Sequence, residues 1–116
     1  MNGYPRAARI KKRWEFVQFK TRGTKLNAKH FLLIFTPSSS ALSRLGITVS
    51  RKTIRNSVDR NRVKRRLRET FRKVREHLTR SIDLLIIVRR EAEQCSFQET
   101  EHEVLKALQR ARLLES

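Results

Sequence analysis

The sequence is poor in cysteine, in acidic residues and in long apolar runs. Cys95 is the only cysteine. An internal disulfide is therefore excluded, and the chain suits a reducing cytoplasm, its expected location. No apolar run approaches the roughly 20 residues that cross a bilayer. The opening "MNGYPRAARIKKRW" is basic with no apolar stretch behind it, which argues against a secretory signal. No internal repeat and no zinc-ligand spacing appears. Acidic residues number 11 against 28 Lys+Arg, a formal net charge of +17. Self-repulsion at that charge costs stability, and a polyanionic partner relieves it; nucleic acid is the commonest.

What is present fits one folded domain. The chain has 116 residues, and its 38% apolar content falls in clear runs, unlike a disordered basic tail. Residues 1–10 read as a flexible basic arm. A short helix is expected over residues 11–22, closed by Gly23. Residues 30–36, "HFLLIFT", are rich in strand formers, and residues 37–40 form a loop. A second strand over residues 45–50 alternates, with Leu45, Ile47 and Val49 on one face. The loop between these strands permits antiparallel pairing. A short extra strand is expected near residues 24–27. A long helix covers residues 57–77, with Asp59 suited to start it. Residues 82–88 are apolar almost throughout, as in a central strand. Ser96 and Glu99 have capping-box spacing and open a last helix through residue 113. This order gives an α+β fold: a single sheet with helices packed on it as an α/β sandwich.

The long helix carries most of the information. At about 100° per residue, Val63, Leu67, Phe71, Val74 and Leu78 fall within roughly 80° and form the core seam. Asn61, Lys64, Arg65, Arg68, Arg72 and Arg75 occupy the next sector, with no acidic residue among them. Arg62, Arg66 and Lys73 share the remaining side with Glu69 and Glu76, and Glu69 to Lys73 reads as an i,i+4 pair. Solvated helix faces normally mix signs. A purely basic sector fits contact with phosphates, which the arginine fork bonds two oxygens at a time. Arg60 lies on the seam side one turn before Val63, at the helix N-terminal end, where anions are also favoured. No leucine heptads follow the helix, and no helix-turn-helix is evident. A backbone-reading RNA contact fits better.

The motif "RLGITVSRK" (residues 44–52), followed by "RNRVKRRLRETFR" (residues 60–72), resembles the protein subunit of bacterial ribonuclease P. "RIKKRWEF" (residues 9–16), "HFLLIF" and "DLLIIVRR" resemble further parts of that family, and the likeness covers residues 9–112. The resemblance implies α-β-β-β-α-β-α order with a left-handed crossover through the long helix. It implies that the chain pairs with a large catalytic RNA, one protein per RNA, and assists removal of the 5′ leader from precursor tRNA. The RNA would do the chemistry with Mg²⁺ bound mainly by the RNA itself; no catalytic residue and no metal site is assigned to the protein.

Carried over residue by residue, the resemblance implies that Lys52, Arg55, Arg60, Asn61, Arg62, Lys64, Arg65, Arg68 and Arg72 contact the catalytic RNA. It implies a leader cleft of Phe16, Lys20, Leu32, Ile34, Thr48 and Ser50, with Lys52 near its rim. An aromatic beside polar and basic groups is what a single-strand binder needs. Two departures stand out: Lys20 replaces a second Phe common in the family, and Arg55 stands where Gly is common. Three rival readings are a structural RNA binder of ribosomal type, a membrane-surface protein and a protein-borne nuclease. The membrane reading is weak because the strands need the helix's apolar residues. The nuclease reading would rest on Asp83, Glu91 and Glu93 at generic spacing. His30, His77 and His102 read as solvated or core-edge histidines, and Cys95 as a small core or boundary residue without a base partner.

Overall fold

The computed structural model describes residues 22–38 and 40–114. The basic arm and first helix expected over residues 1–22 lie outside them, Arg22 excepted. Strands β1 (Thr24–Asn27), β2 (Phe31–Pro37) and β3 (Arg44–Thr48) precede helix α1 (Ser57–Val74). A 3₁₀ turn, Arg75–His77, leads on towards β4 (Ile82–Val88); a second, Ala92–Gln94, precedes helix α2 (Phe97–Arg110). The four strands form one sheet in the order β1-β2-β4-β3.

Strand β4 explains that order. Its residues are buried on both faces, so its backbone groups must be satisfied by neighbours at both edges. It pairs antiparallel with β2, from Phe31↔Val88 to Pro37↔Ile82, and parallel with β3, from Arg44↔Asp83 to Thr48↔Ile87. The antiparallel pairing of β2 with β3 that their connection permits does not form; β4 separates them. A parallel pair needs a long crossover, which α1 supplies. The extra strand at residues 24–27 is present and pairs antiparallel with β2.

One sheet face carries Phe31, Leu33, Phe35, Leu45, Leu84 and Ile86 into the main core. Val63, Leu67, Phe71 and Val74 of α1 and Val104, Ala107 and Leu108 of α2 pack onto it. The expected seam is thus real, with Leu78 partly buried at its end. Thr70 joins the buried side of α1, its hydroxyl donating to Arg66 O at 2.9 Å. The opposite face holds a smaller cluster of Ile34 and Leu85, flanked by Leu32 and Ile87.

The helix ends follow local chemistry. Asn56, not Asp59, caps α1, its side chain accepting from Val58 N at 2.8 Å. Asp59 sits in the first turn and pairs with Arg62 at 2.6 Å. The α2 capping box is complete: Glu99 N donates to Ser96 Oγ at 3.0 Å, and Ser96 N to Glu99 Oε1 at 2.9 Å. Two hydrogen bonds to Ser96 hold the Glu99 carboxyl below the usual glutamate range, the bond from its backbone N–H weighing most. Helix α2 ends at Arg110 rather than residue 113. Arg112 turns left-handed (φ 60°) so that Leu113 folds back to full burial, its N–H donating to Leu108 O at 2.9 Å.

Candidate nucleic-acid interface

Burial of the α1 seam fixes where its cations point. The flank facing α2 is tied down. Arg66 Nη1 donates to Cys95 O. Lys73 Nζ lies 3.4 Å from Glu101 Oε2 and 4.9 Å from the centre of the Phe97 ring. This contact with α2 draws Lys73 away from Glu69. The expected Glu69–Lys73 pair is therefore replaced by Glu69–Arg72, joined by two hydrogen bonds. The Arg72 guanidinium holds the Glu69 carboxyl below its usual range. The basic sector is thus not wholly free of acid, because Arg72 within it is neutralised across one turn.

Lys64, Arg65 and Arg68, with Arg75 in the 3₁₀ turn that follows, form the uncompensated part of that sector. Among the described residues none of them has an ion-pair or hydrogen-bond partner for its charge. Lys64 and Arg68 are half-buried, while Arg65 is exposed. Exposed Asn61 sits one turn before them. In the loop before α1, Lys52 and Arg55 are likewise unpaired in their side chains among the described residues, with Arg55 exposed and Lys52 beside the turn that Ser50 closes.

Arg60 shapes this loop. Its Nη1 donates to Ile54 O and Arg55 O, both at 2.8 Å. Ile54 is buried, and Arg60 thereby fastens the loop to α1. Ser50 closes the turn before it: its Oγ lies 2.8 Å from Thr53 Oγ1 and accepts from Thr53 N at 3.1 Å. The cations at Lys52 and Arg55 are thus mounted on a braced segment.

Of the residues expected to line a leader cleft, Leu32, Ile34 and Thr48 share the sheet face opposite α1 and α2. Leu32, Ile87 and Thr48 form one row across β2, β4 and β3, and Ile34, Leu85 and Gly46 form the next. Leu32 is half-buried and Thr48 exposed, while Ile34 is buried. Ser50 follows just beyond the end of β3. Phe16 and Lys20 lie outside the described residues.

Several features were missed in the sequence. Asp83 is buried and receives a two-pronged hydrogen bond from Arg44, at 2.8 and 3.1 Å. That carboxylate is committed to an ion pair rather than poised for catalysis; only the strand register, which aligns Arg44 with Asp83, could have shown it. Cys95 has a base partner after all, for His30 Nδ1 lies 3.2 Å from its Sγ. His30 Nδ1 also lies 2.6 Å from Glu103 Oε2. No local spacing signals this cluster.

These features define a one-sheet α+β protein with a basic helix flank that is uncompensated among the described residues. A family model described as Ribonuclease P matches residues 4–112. The chain belongs to the ribonuclease P protein family. The ribonuclease P protein component of Geotalea uraniireducens is 39% identical over 107 residues, covering 92% of this chain and 93% of the relative. That of Levilactobacillus brevis is 36% identical over 109 residues, covering 93% and 92%. Among solved structures, the RNase P protein of Staphylococcus aureus superposes with a TM-score of 0.85 at 28% identity, over 95% of this chain and 100% of that one. The Thermotoga maritima RNase P protein gives 0.78 at 28% identity, over 88% and 96%.

Proposed function

We propose that this chain is the protein subunit of a ribonuclease P holoenzyme in which an RNA subunit carries out the cleavage. The observation that carries the reading is the α1 flank of Lys64, Arg65 and Arg68, whose charges have no partner among the described residues. Like charges at these spacings repel by a few tenths of a kcal/mol per pair. Phosphates of the catalytic RNA remove that cost, and Lys52 and Arg55 extend the contact along the braced loop. Arg60 acts chiefly by holding that loop. Asn61 and Arg62 stand at the end of α1 nearest to it. Arg72 joins only by sharing or leaving Glu69.

The 5′ leader of precursor tRNA takes the opposite sheet face, across Leu32 and Thr48, with Phe16 as the stacking aromatic and Lys20 as a neighbouring cation. Mg²⁺ belongs to the RNA in this reading. As a hard cation it takes oxygen ligands, and the one His/Cys/Asp/Glu trio among the described residues includes a thiol and an imidazole. No step is assigned to a protein-bound Mg²⁺. One protein serves one RNA, in the cytoplasm. No helix among the described residues is long and apolar enough to cross a membrane.

The test is cleavage of precursor tRNA by a bacterial ribonuclease P RNA at low Mg²⁺, with and without this protein. Restored accurate 5′ cleavage is expected, with none from protein alone. Binding to the RNA without any effect on cleavage would instead support a structural, ribosomal-type RNA binder. Cleavage by protein alone would place the chemistry on this chain.

A further inference from the structure

His30, Cys95 and Glu103 come from three separate parts of the chain. His30 immediately precedes β2, Cys95 follows the 3₁₀ turn Ala92–Gln94, and Glu103 lies within α2. One donor atom from each lies within 4.8 Å of the other two. Cys95 is buried, and the side chains of His30 and Glu103 are only 15% and 16% exposed.

The protons in this cluster cannot all be well placed. Nδ1 of His30 is 2.6 Å from Glu103 Oε2 and 3.2 Å from Cys95 Sγ. A neutral ring nitrogen either donates or accepts. When Nδ1 carries the proton it serves Glu103, and the thiol is left with Glu103 Oε2 at 3.8 Å, a long contact even for sulfur. When Nδ1 is bare it accepts from the thiol, and its lone pair faces a carboxylate oxygen across 2.6 Å. Two acids crowd the thiol, and burial and Glu103 together push its pKa up. Because Cys95 and Glu103 meet the same nitrogen, the trio is not a nucleophile–base–acid relay, which needs the two ring nitrogens divided between partners.

We infer that His30 Nδ1, Cys95 Sγ and Glu103 Oε2 form a binding site for a thiophilic divalent cation of the zinc type. Coordination removes the conflict: the thiol proton leaves to solvent, His30 binds as neutral imidazole, and thiolate plus carboxylate balance the two positive charges. Tetrahedral ligation at the usual Zn–S, Zn–N and Zn–O lengths puts ligand atoms ~3.3–3.6 Å apart. The two contacts of Cys95, at 3.2 and 3.8 Å, already stand near those spans. Only the His30–Glu103 contact must open, by ~0.7 Å. Glu103 is already oriented for this, since its Oε1 accepts from His30 N at 2.8 Å and leaves Oε2 to the site. An open groove of about 380 Å³ reaches Glu103 and offers a route for the ion and for a water as fourth ligand. Lys29 and Lys106 line that groove and Arg66 bonds Cys95 O, so a bare cation is repelled until the two anionic ligands engage it. The mixed N, S and O donor set selects zinc-like ions over Mg²⁺ and Ca²⁺.

The test is titration of the reduced full-length protein with Co²⁺, read by thiolate-to-metal charge-transfer absorption. Cys95 is the only thiol, so any such band reports this residue. Saturation at one equivalent is expected, with displacement by Zn²⁺. Glu103→Gln and His30→Ala, checked for folding by circular dichroism, are each expected to weaken binding at least ~10-fold. Zn²⁺ is expected to raise the melting temperature of the parent protein but not of Cys95→Ala. Absence of the band at saturating Co²⁺ would overturn the site, as would a band of unchanged affinity in both folded variants. The readout needs no RNA, so its outcome is separable from that of the proposed function.

Discussion

Replacing Arg65 and Arg68 by alanine tests whether unpaired charge on α1 is held against phosphate. Neither cation has a partner within the described protein. Removing one phosphate-binding charge should therefore lower the slope of log affinity against log salt by about 0.7–0.9. Over a fourfold rise in salt that amounts to about threefold in affinity per residue, and about tenfold for the double variant. Arg72 provides the internal control. It lies on the same sector but is already bonded to Glu69. Such a solvent-screened pair carries no net charge, so Arg72 has little left to offer phosphate. Arg72→Ala should therefore change the slope by less than half as much as Arg65→Ala. Glu69→Gln should steepen it by releasing Arg72. The assay is anisotropy of labelled bacterial ribonuclease P RNA across a salt series. Equal slopes for Arg65→Ala and Arg72→Ala, or no change in the double variant, would refute the argument from pairing.

Other perturbations read different parts of the molecule. Arg60→Ala removes two hydrogen bonds at 2.8 Å and should cost about 1.5–3 kcal/mol in urea unfolding; an unchanged midpoint would show that the loop stands without its brace. Asp83→Ala breaks the two-pronged bond from Arg44 on β4 and should destabilise by about 1–3 kcal/mol, again measured in urea. Phe16→Ala should weaken leader-bearing precursor tRNA by roughly 1–3 kcal/mol while sparing mature tRNA; equal weakening of both would leave Phe16 a packing residue. The Ser96–Glu99 box has a pH signature. Because the folded-state pKa of Glu99 is lowered, its contribution is full above the ordinary glutamate range and fades as pH falls through the folded-state value. Glu99→Gln should flatten that part of the acid-stability curve, and an unaltered curve would remove the box from the balance.

Much of the architecture was legible because it is written in local patterns. The seam from Val63 to Val74 shows in the helical period, β4 in its unbroken apolar run, and the α2 start in Ser96 and Glu99. Strand pairing was not legible. A connection that permits β2 to meet β3 says nothing of a strand, made well after β3, that needs both edges filled. The basic sector was visible, but its one neutralised member was not. Lys73 chose α2 over Glu69, a tertiary event that helical spacing cannot register. The His30–Cys95–Glu103 convergence spans 65 and 73 residues, and such distances leave no trace in any short motif.

The insertion of β4 between two older strands sets the timetable of maturation. During synthesis β2, β3 and α1 are all complete before Ile82–Val88 exists. Until that seven-residue strand arrives, nothing joins β2 to β3, and α1 lacks the central strand of the sheet it packs on. Entry of β4 closes the sheet through contacts distant in sequence, a slow kind of step. The closed sheet that mounts α1 therefore arrives late, with one strand.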